Sequence, residues 1–284
     1  MAENNLPALK SALNTESVKN KFSEMLGKKS AGFITSITTV VQNNDLLQKA
    51  DVNSIILASA QAASLDLPIN PNLGFAAIIP FNDKKANKCV AQFQIMRDGW
   101  VDLCLRTGQF EYIVNEIVYE GELVEKNRFT DTYVFDETKR TGDKIIGYMA
   151  SFKLTNGYRK TFYMTVDEAK AHGMQYSQTF KRGYGLWKDA FNQMALKTTL
   201  KMLLKKYAPK SIEGIAKAIE SDQASFVGDI NNAQAVYVDA QKTEVQKTQD
   251  VEDFEEAEIV EEPKEEPKVV EQPIAQPQVD DDDF

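Results

Sequence analysis

The stretch Lys144-Ile145-Ile146-Gly147-Tyr148-Met149-Ala150-Ser151-Phe152-Lys153-Leu154-Thr155-Asn156-Gly157-Tyr158-Arg159-Lys160-Thr161-Phe162-Tyr163-Met164 decides the fold class. Tyr148, Ala150, Phe152 and Leu154 alternate with Gly147, Met149, Ser151 and Lys153, the period of two of a half-buried antiparallel strand. Thr155-Asn156-Gly157 joins it to a second strand over 158–164, and Asn-Gly suits a type I′ turn because both central positions need positive φ. Working outward, strands are expected at 112–119, 132–135, 75–79 and 89–97. The last two flank a polar loop, 81–88, whose Lys84, Lys85 and Lys88 make a basic-tipped hairpin. Asp98 is placed to cap a short helix over 99–107, which Gly108 closes.

Helices surround this sheet in the sequence. Val18, Phe22, Met25 and Leu26 follow i, i+4, i+7, i+8 spacing, with Asn14 or Thr15 as cap and Gly27 as stop. Phe33, Ile34, Ile37, Val40 and Val41 form a second stripe, and a third helix over 52–64 carries a small-residue face of Ala58, Ala62 and Ala63. Beyond the sheet, helix is expected at 166–171, strongly from 186 to 207 where Ala208-Pro209 stops it, and briefly at 212–219. The architecture read from these patterns is α+β: an N-terminal helical lobe over 1–66, a core over 67–220 with a central antiparallel sheet, hairpins and a long basic helix, and a disordered acidic tail over 221–284. The tail is rich in Gln, Glu, Asp and Pro, and cannot bury enough apolar surface to offset ordering costs of roughly 1 to 2 kcal/mol per residue.

The formal charge of −9 conceals two opposite parts. From Ser221 onward there are 19 acidic residues against 4 lysines; the preceding 220 residues carry 29 basic and 23 acidic, a net of +6. Phosphate binding therefore remains open to the core, with the tail as an electrostatic competitor. Cys89 and Cys104 lack paired spacing, and neither a signal peptide nor an 18-residue apolar run is present, so a reduced, cytoplasmic, soluble protein is expected.

Several chemistries lack their residues. His172 is the single histidine, which argues against a zinc cluster or a Ser-His-Asp triad. Leu26-Gly27-Lys28-Lys29-Ser30 fails as a P-loop because Phe22 stands where the first glycine must be. Asp131, Asp136 and Glu137 are the carboxylates a magnesium-dependent nuclease would draw on, although ordinary loops contain such residues.

What remains is a basic and aromatic set. Lys197, Lys201 and Lys205 fall at i, i+4, i+8, three ammonium groups on one helical face within about 12 Å. A phosphate backbone would relieve their repulsion, and a solvated face explains them equally well. Upstream, residues 180–188 interleave Phe180, Tyr184 and Trp187 with Lys181, Arg182 and Lys188, a composition suited to single strands. Trp187 shares a helical side with Phe191 and Met194, which favours a core anchor. Gln92 and Gln94 lie on one face of their strand, either as outward polar contacts to nucleic acid or as plain surface residues, and Arg106 is opposite Trp100 and Cys104 on its helix, exposed and available to phosphate.

These segments resemble the RecT family of phage and prophage recombinases, related to the Redβ type. The resemblance is carried by Gln92-Phe93-Gln94-Ile95-Met96-Arg97-Asp98-Gly99-Trp100-Val101-Asp102-Leu103 with Leu105-Arg106-Thr107-Gly108-Gln109, by the segment from Leu67-Pro68 to Pro80-Phe81, and by Met194-Ala195-Leu196-Lys197-Thr198-Thr199-Leu200-Lys201 through Lys205-Lys206-Tyr207-Ala208-Pro209. It spans roughly residues 18–218. It implies a non-enzymatic, ATP-independent protein with no cofactor and no metal, whose core binds single-stranded DNA, anneals complementary strands and acts as a ring or helical filament. It makes Lys197, Lys201 and Lys205 expected phosphate contacts, with Gln92, Gln94 and Arg106 in the groove between the sheet and that helix; Lys206, and Lys181, Arg182, Tyr184 and Lys188 from the aromatic and basic stretch, complete the expected DNA-binding set. Where some members carry tyrosine then arginine, this chain has Arg97-Asp98, which puts a DNA role for Arg97 in doubt.

The expected partners are single-stranded DNA and annealed duplex, further copies of the chain, a 5′-3′ exonuclease that supplies single strands, and a host single-strand-binding protein, with no membrane. The alternative reading is a coating protein that binds single strands without annealing them. The tip Val279-Asp280-Asp281-Asp282-Asp283-Phe284 resembles the acidic, phenylalanine-ended tip of bacterial single-strand-binding proteins, beside the plainer reading of a solubilising tail.

Overall fold

Four helices, α1 (Leu6–Leu13), α2 (Glu16–Leu26), α3 (Ser30–Gln42) and α4 (Val52–Ser64), open the computed structural model, which describes residues 4–83, 88–210 and 213–236. The apolar stripes read from the sequence turn inward: Val18 and Phe22 are buried on α2, Ile37 and Val41 on α3. Gly27 ends α2 in the left-handed region, at φ 53°. The Asp51 side chain caps α4 by accepting from Ser54 N at 2.8 Å. Ala58, Ala62 and Ala63 are fully or almost fully buried, and their small size lets α4 approach its neighbours closely.

Strands β1 (Ala76–Asp83) and β2 (Lys88–Ile95) pair antiparallel in the register Ala76↔Ile95 to Asp83↔Lys88. β1 therefore continues through Pro80 into the segment expected to be loop; Pro80 is tolerated because β1 is an edge strand. Lys84 and Lys85 of the expected basic tip lie outside the described residues. Helix α5 (Arg97–Arg106) starts two residues earlier than expected, so Asp98 is in its first turn and does not cap it. Gly99 of α5 sits against β1's approach: a Cβ there would lie 2.0 Å from the Phe75 carbonyl oxygen.

Next come β3 (Phe110–Tyr119), β4 (Leu123–Asn127), β5 (Thr132–Phe135), β6 (Ile145–Leu154) and β7 (Arg159–Thr165). β3, β6 and β7 form a three-stranded antiparallel sheet, with β6 central, and β4–β5 form a separate hairpin. Tyr148, Ala150, Phe152 and Leu154 are buried, as their alternation requires. The β6–β7 turn differs from the type I′ expectation. Leu154 N donates to Tyr158 O at 2.7 Å across a three-residue loop in which Gly157 (φ 87°) has positive φ and Asn156 does not. Asn156 instead accepts from Tyr158 N through its side chain, the geometry of a turn closed by one left-handed glycine.

Helices α6 (Val166–Tyr176), α7 (Gln178–Lys181), α8 (Leu186–Asp189), α9 (Phe191–Tyr207) and α10 (Glu213–Ser221) follow. Thr165 and Glu168 form a reciprocal capping box on α6. The helix expected from 186 to 207 is broken at Ala190 (φ −133°, ψ 49°), and Trp187, just before the break, meets Phe180 and His172 as well as Phe191 of α9. Leu200, Leu203 and Leu204 of α9 join the core that also holds Phe93, Trp100 and Phe152, while Ala195 and Leu196 meet Tyr148, Met164 and Ala169 under the second sheet.

The folded part runs past the boundary at 220. β8 (Ser225–Val227) and β9 (Gln234–Val236) complete a sheet of order β1-β2-β8-β9. The acidic composition misleads here because Ala224 and Phe226, 0% and 6% exposed, bury enough apolar surface to fix the segment. Residues 237–284, including the expected acidic tip, lie outside the described residues. Among the described residues no helix is long and apolar enough to cross a membrane.

Gly99→Ala tests the α5–Phe75 packing. The added carbon has no room against backbone, so a loss of about 3 kcal/mol, at the upper end for overpacking, is expected in urea unfolding.

Candidate nucleic-acid interface

α9 carries the lysine row, and its packing decides what each lysine can do. The row faces β2 and the turn that follows α10. Lys197 is only 5% exposed; its Nζ donates to Gln94 Oε1 at 3.2 Å and lies 3.5 Å from Met96 Sδ. Burial pushes this ammonium down to about 8, with Asp222 working against the drop and Lys201 adding to it. Lys201 Nζ is 2.5 Å from Asp222 Oδ2 and donates to Gln223 Oε1 at 2.7 Å. The Lys201–Asp222 contact is an ion pair without the alignment of a hydrogen bond. Lys205 and Lys206, a turn further on, are exposed.

Asp222 and Gln223 belong to this site although their composition places them with the acidic tail. The Asp222 side chain is fully buried and its Oδ1 accepts from Ile95 N at 2.8 Å. Gln223, in the left-handed region at φ 63°, donates its N–H to Phe93 O at 3.0 Å and accepts from Gln92 Nε2 at 2.6 Å through its carbonyl. This turn therefore covers the glutamine face of β2. Gln92 is 4% exposed, and Gln94 is partly buried with its Nε2 3.4 Å from Gln92 Oε1, so neither stands outward as expected. Side chains expected to line the DNA groove, Gln92 and Lys201, are thus engaged by Asp222 and Gln223. The one signal for this was the amphipathic helix running directly into Ser221-Asp222-Gln223, whose carboxylate answers the lysine row.

The other expected residues lie on the surface. Arg97 is exposed and pairs with Asp98 at 2.9 Å. Arg106 is exposed as expected, but it pairs with Asp102 at 2.8 Å and also donates to Leu65 O at 3.0 Å, fastening α5 to the end of α4. Lys181, Arg182, Tyr184 and Lys188 are all exposed. Gly183 (φ 79°) and Gly185 (φ 89°) supply the positive-φ turns on either side of Tyr184, between α7, which ends at Lys181, and α8, which contains Lys188. Trp187 is 8% exposed and packs 5.9 Å from Phe180 and 5.8 Å from Phe191, a core anchor. The carboxylates of the nuclease reading do not converge: Asp131 pairs with Lys160 at 2.8 Å and Asp136 accepts from Thr138 N in its own turn.

Fold and site together define an α+β protein whose exposed cations run along the end of one helix and the aromatic loop before it. A model of the RecT family matches residues 31–238. The chain is 40% identical over 224 residues to the uncharacterized protein YqaK of Bacillus subtilis (strain 168), covering 79% of this chain and 75% of that one. It is 27% identical over 223 residues to protein RecT of Escherichia coli (strain K12), covering 75% and 79%. The chain belongs to the RecT family. Membership supports a role in recombination or strand annealing in general, and proteins of this family are annealing proteins rather than conventional catalysts.

The depressed Lys197 ammonium has a measurable consequence. Between about 8 and its ordinary 10.5 the unfolded chain binds more protons at this site, so stability rises with pH through that window and is lowest below it. Lys197→Met should be more stable than the parent by on the order of 3 kcal/mol at pH 7, with the difference vanishing above about pH 10.5. Urea unfolding of both proteins from pH 7 to 11 reads it; a pH-independent difference would mean that the amine is not held as described.

Proposed function

We propose that this protein binds single-stranded DNA and anneals it to its complement without ATP, acting as an oligomer on the DNA. Membership of the RecT family over residues 31–238 is the observation that carries this reading. Annealing is downhill, since stacking releases about 1.4 kcal/mol per base-pair step, so a protein need only remove kinetic obstacles. No fuel is required.

In this reading the exposed Lys181, Arg182, Lys188, Lys205 and Lys206 hold phosphates, and Tyr184, 51% exposed, offers a ring for a base. Lys197 and Lys201 act from behind. They add positive potential to the surface while their side chains serve the joint with β2 and Asp222. Arg97, Arg106, Gln92 and Gln94 shape the scaffold in this arrangement rather than touching DNA first. A 5′-3′ exonuclease supplying single strands, and a host single-strand-binding protein to be displaced, are the partners such an activity calls for.

Fluorescence quenching of two complementary labelled strands should show annealing at the same rate with and without ATP. Strict ATP dependence, or protection of single strands with slowed pairing, would replace annealing by motor-driven exchange or by simple coating. Changing Lys205 and Lys206 together to Ala should lower the salt slope of single-strand binding by about 1.4, from roughly 0.7 per phosphate contact, while circular dichroism is unchanged.

A further inference from the structure

The β4–β5 hairpin stands apart from both larger sheets, and its tip places Phe129 87% exposed to solvent. A lone exposed phenylalanine is ordinary. This one has a cation against it. The Arg128 guanidinium is 4.9 Å from the Phe129 ring centre. Behind the tip, Asp131, in the left-handed region at φ 55°, meets Lys160 of β7 at 2.8 Å, and Lys160 Nζ lies 4.6 Å from the centre of Tyr207 at the end of α9. Lys206 Nζ is 5.2 Å from the same ring. Tyr133 closes the patch: Asp131, Lys160, Tyr207 and Arg128 all lie near enough to act on its phenol, which burial pushes up.

The charge of this patch has a direction. Lys126 and Tyr133 share one face of the hairpin by register, and Glu125 and Val134 share the other. The carboxylate that does enter the patch, Asp131, is already neutralised by Lys160. A half-exposed basic and aromatic surface therefore adjoins the exposed end of α9.

We propose that the β4–β5 tip is a second contact for single-stranded nucleic acid, in which Phe129 stacks on an unpaired base while Arg128 and Lys206 follow the phosphates. The inference rests on the single-strand binding proposed above and extends it to residues outside the basic helix and the loop before it. A solvent-facing ring flanked by cations suits an unpaired base, because only an unstacked base offers a free π-face. The Asp131–Lys160 ion pair ties the hairpin to β7, and Lys160 in turn lies on the Tyr207 ring beside Lys206.

The test uses the full chain and two labelled oligonucleotides of equal length, one of thymidines and one abasic, followed by fluorescence anisotropy. Phe129→Ala should weaken thymidine-strand binding about 5- to 150-fold, as expected for loss of one stacked base, and leave abasic-strand binding unchanged. Phe129→Trp should restore it. Because the ring is solvent-exposed, its removal leaves the fold intact, which thermal unfolding checks. Unchanged binding of the thymidine strand by Phe129→Ala overturns the proposal and leaves single-strand binding standing. Equal losses on both strands also overturn it, since the ring would then act through the phosphate path or a neighbouring copy. If the parent protein binds neither strand, single-strand binding itself fails and this contact with it.

Discussion

A buried charge joint between α9, β2 and the turn after α10 is the constraint on which the rest of this structure turns. Lys197 and Lys201 enter the interior from one helical face, and an ammonium removed from water is stable only with partners. The Asp222 carboxylate supplies one partner, and Gln94 and Gln223 supply neutral acceptors. Asp222 also accepts from Ile95 N, so the same carboxylate ties helix, strand and turn together. Removing it would leave a buried cation uncompensated, which is far costlier than the modest worth of a surface pair.

The joint divides the basic helix into two functional halves. Its first part serves packing, and its last turn, with Lys205, Lys206 and Tyr207, reaches the surface. That turn is also where the second sheet and the β4–β5 hairpin arrive, through Lys160 and Asp131. Lys181 at the end of α7, Arg182 in the loop and Lys188 in α8 flank two positive-φ glycines, while Trp187 holds this stretch to the core. Core packing thus positions the exposed basic side chains.

Much of this was legible in the sequence. Alternation across residues 147–154 specifies the central strand, the stripe of Val18 and Phe22 specifies α2, and the run from Gln92 to Leu103 identifies the family. Periodicity reports which face is apolar, and it succeeded wherever one face is apolar and the other polar. It failed where polar residues are themselves buried: Gln92 and Lys197 read as outward because their chemistry is hydrophilic, yet each is covered by a segment distant in sequence.

By itself, then, the sequence determined the α+β class, most of the elements and membership of an annealing family, since local periodicity and motif order are written in neighbouring residues. Tertiary structure alone decided that Asp222 belongs to the core and not to the acidic tail, that the lysine row is half interior, and that Asp131, Lys160 and Tyr207 come together. The reason is the same in each case. A charge or ring takes its role from what lies across from it in space, and the partners at this joint are separated by between 21 and 131 positions along the chain, as for Lys201 with Asp222 and Gln92 with Gln223.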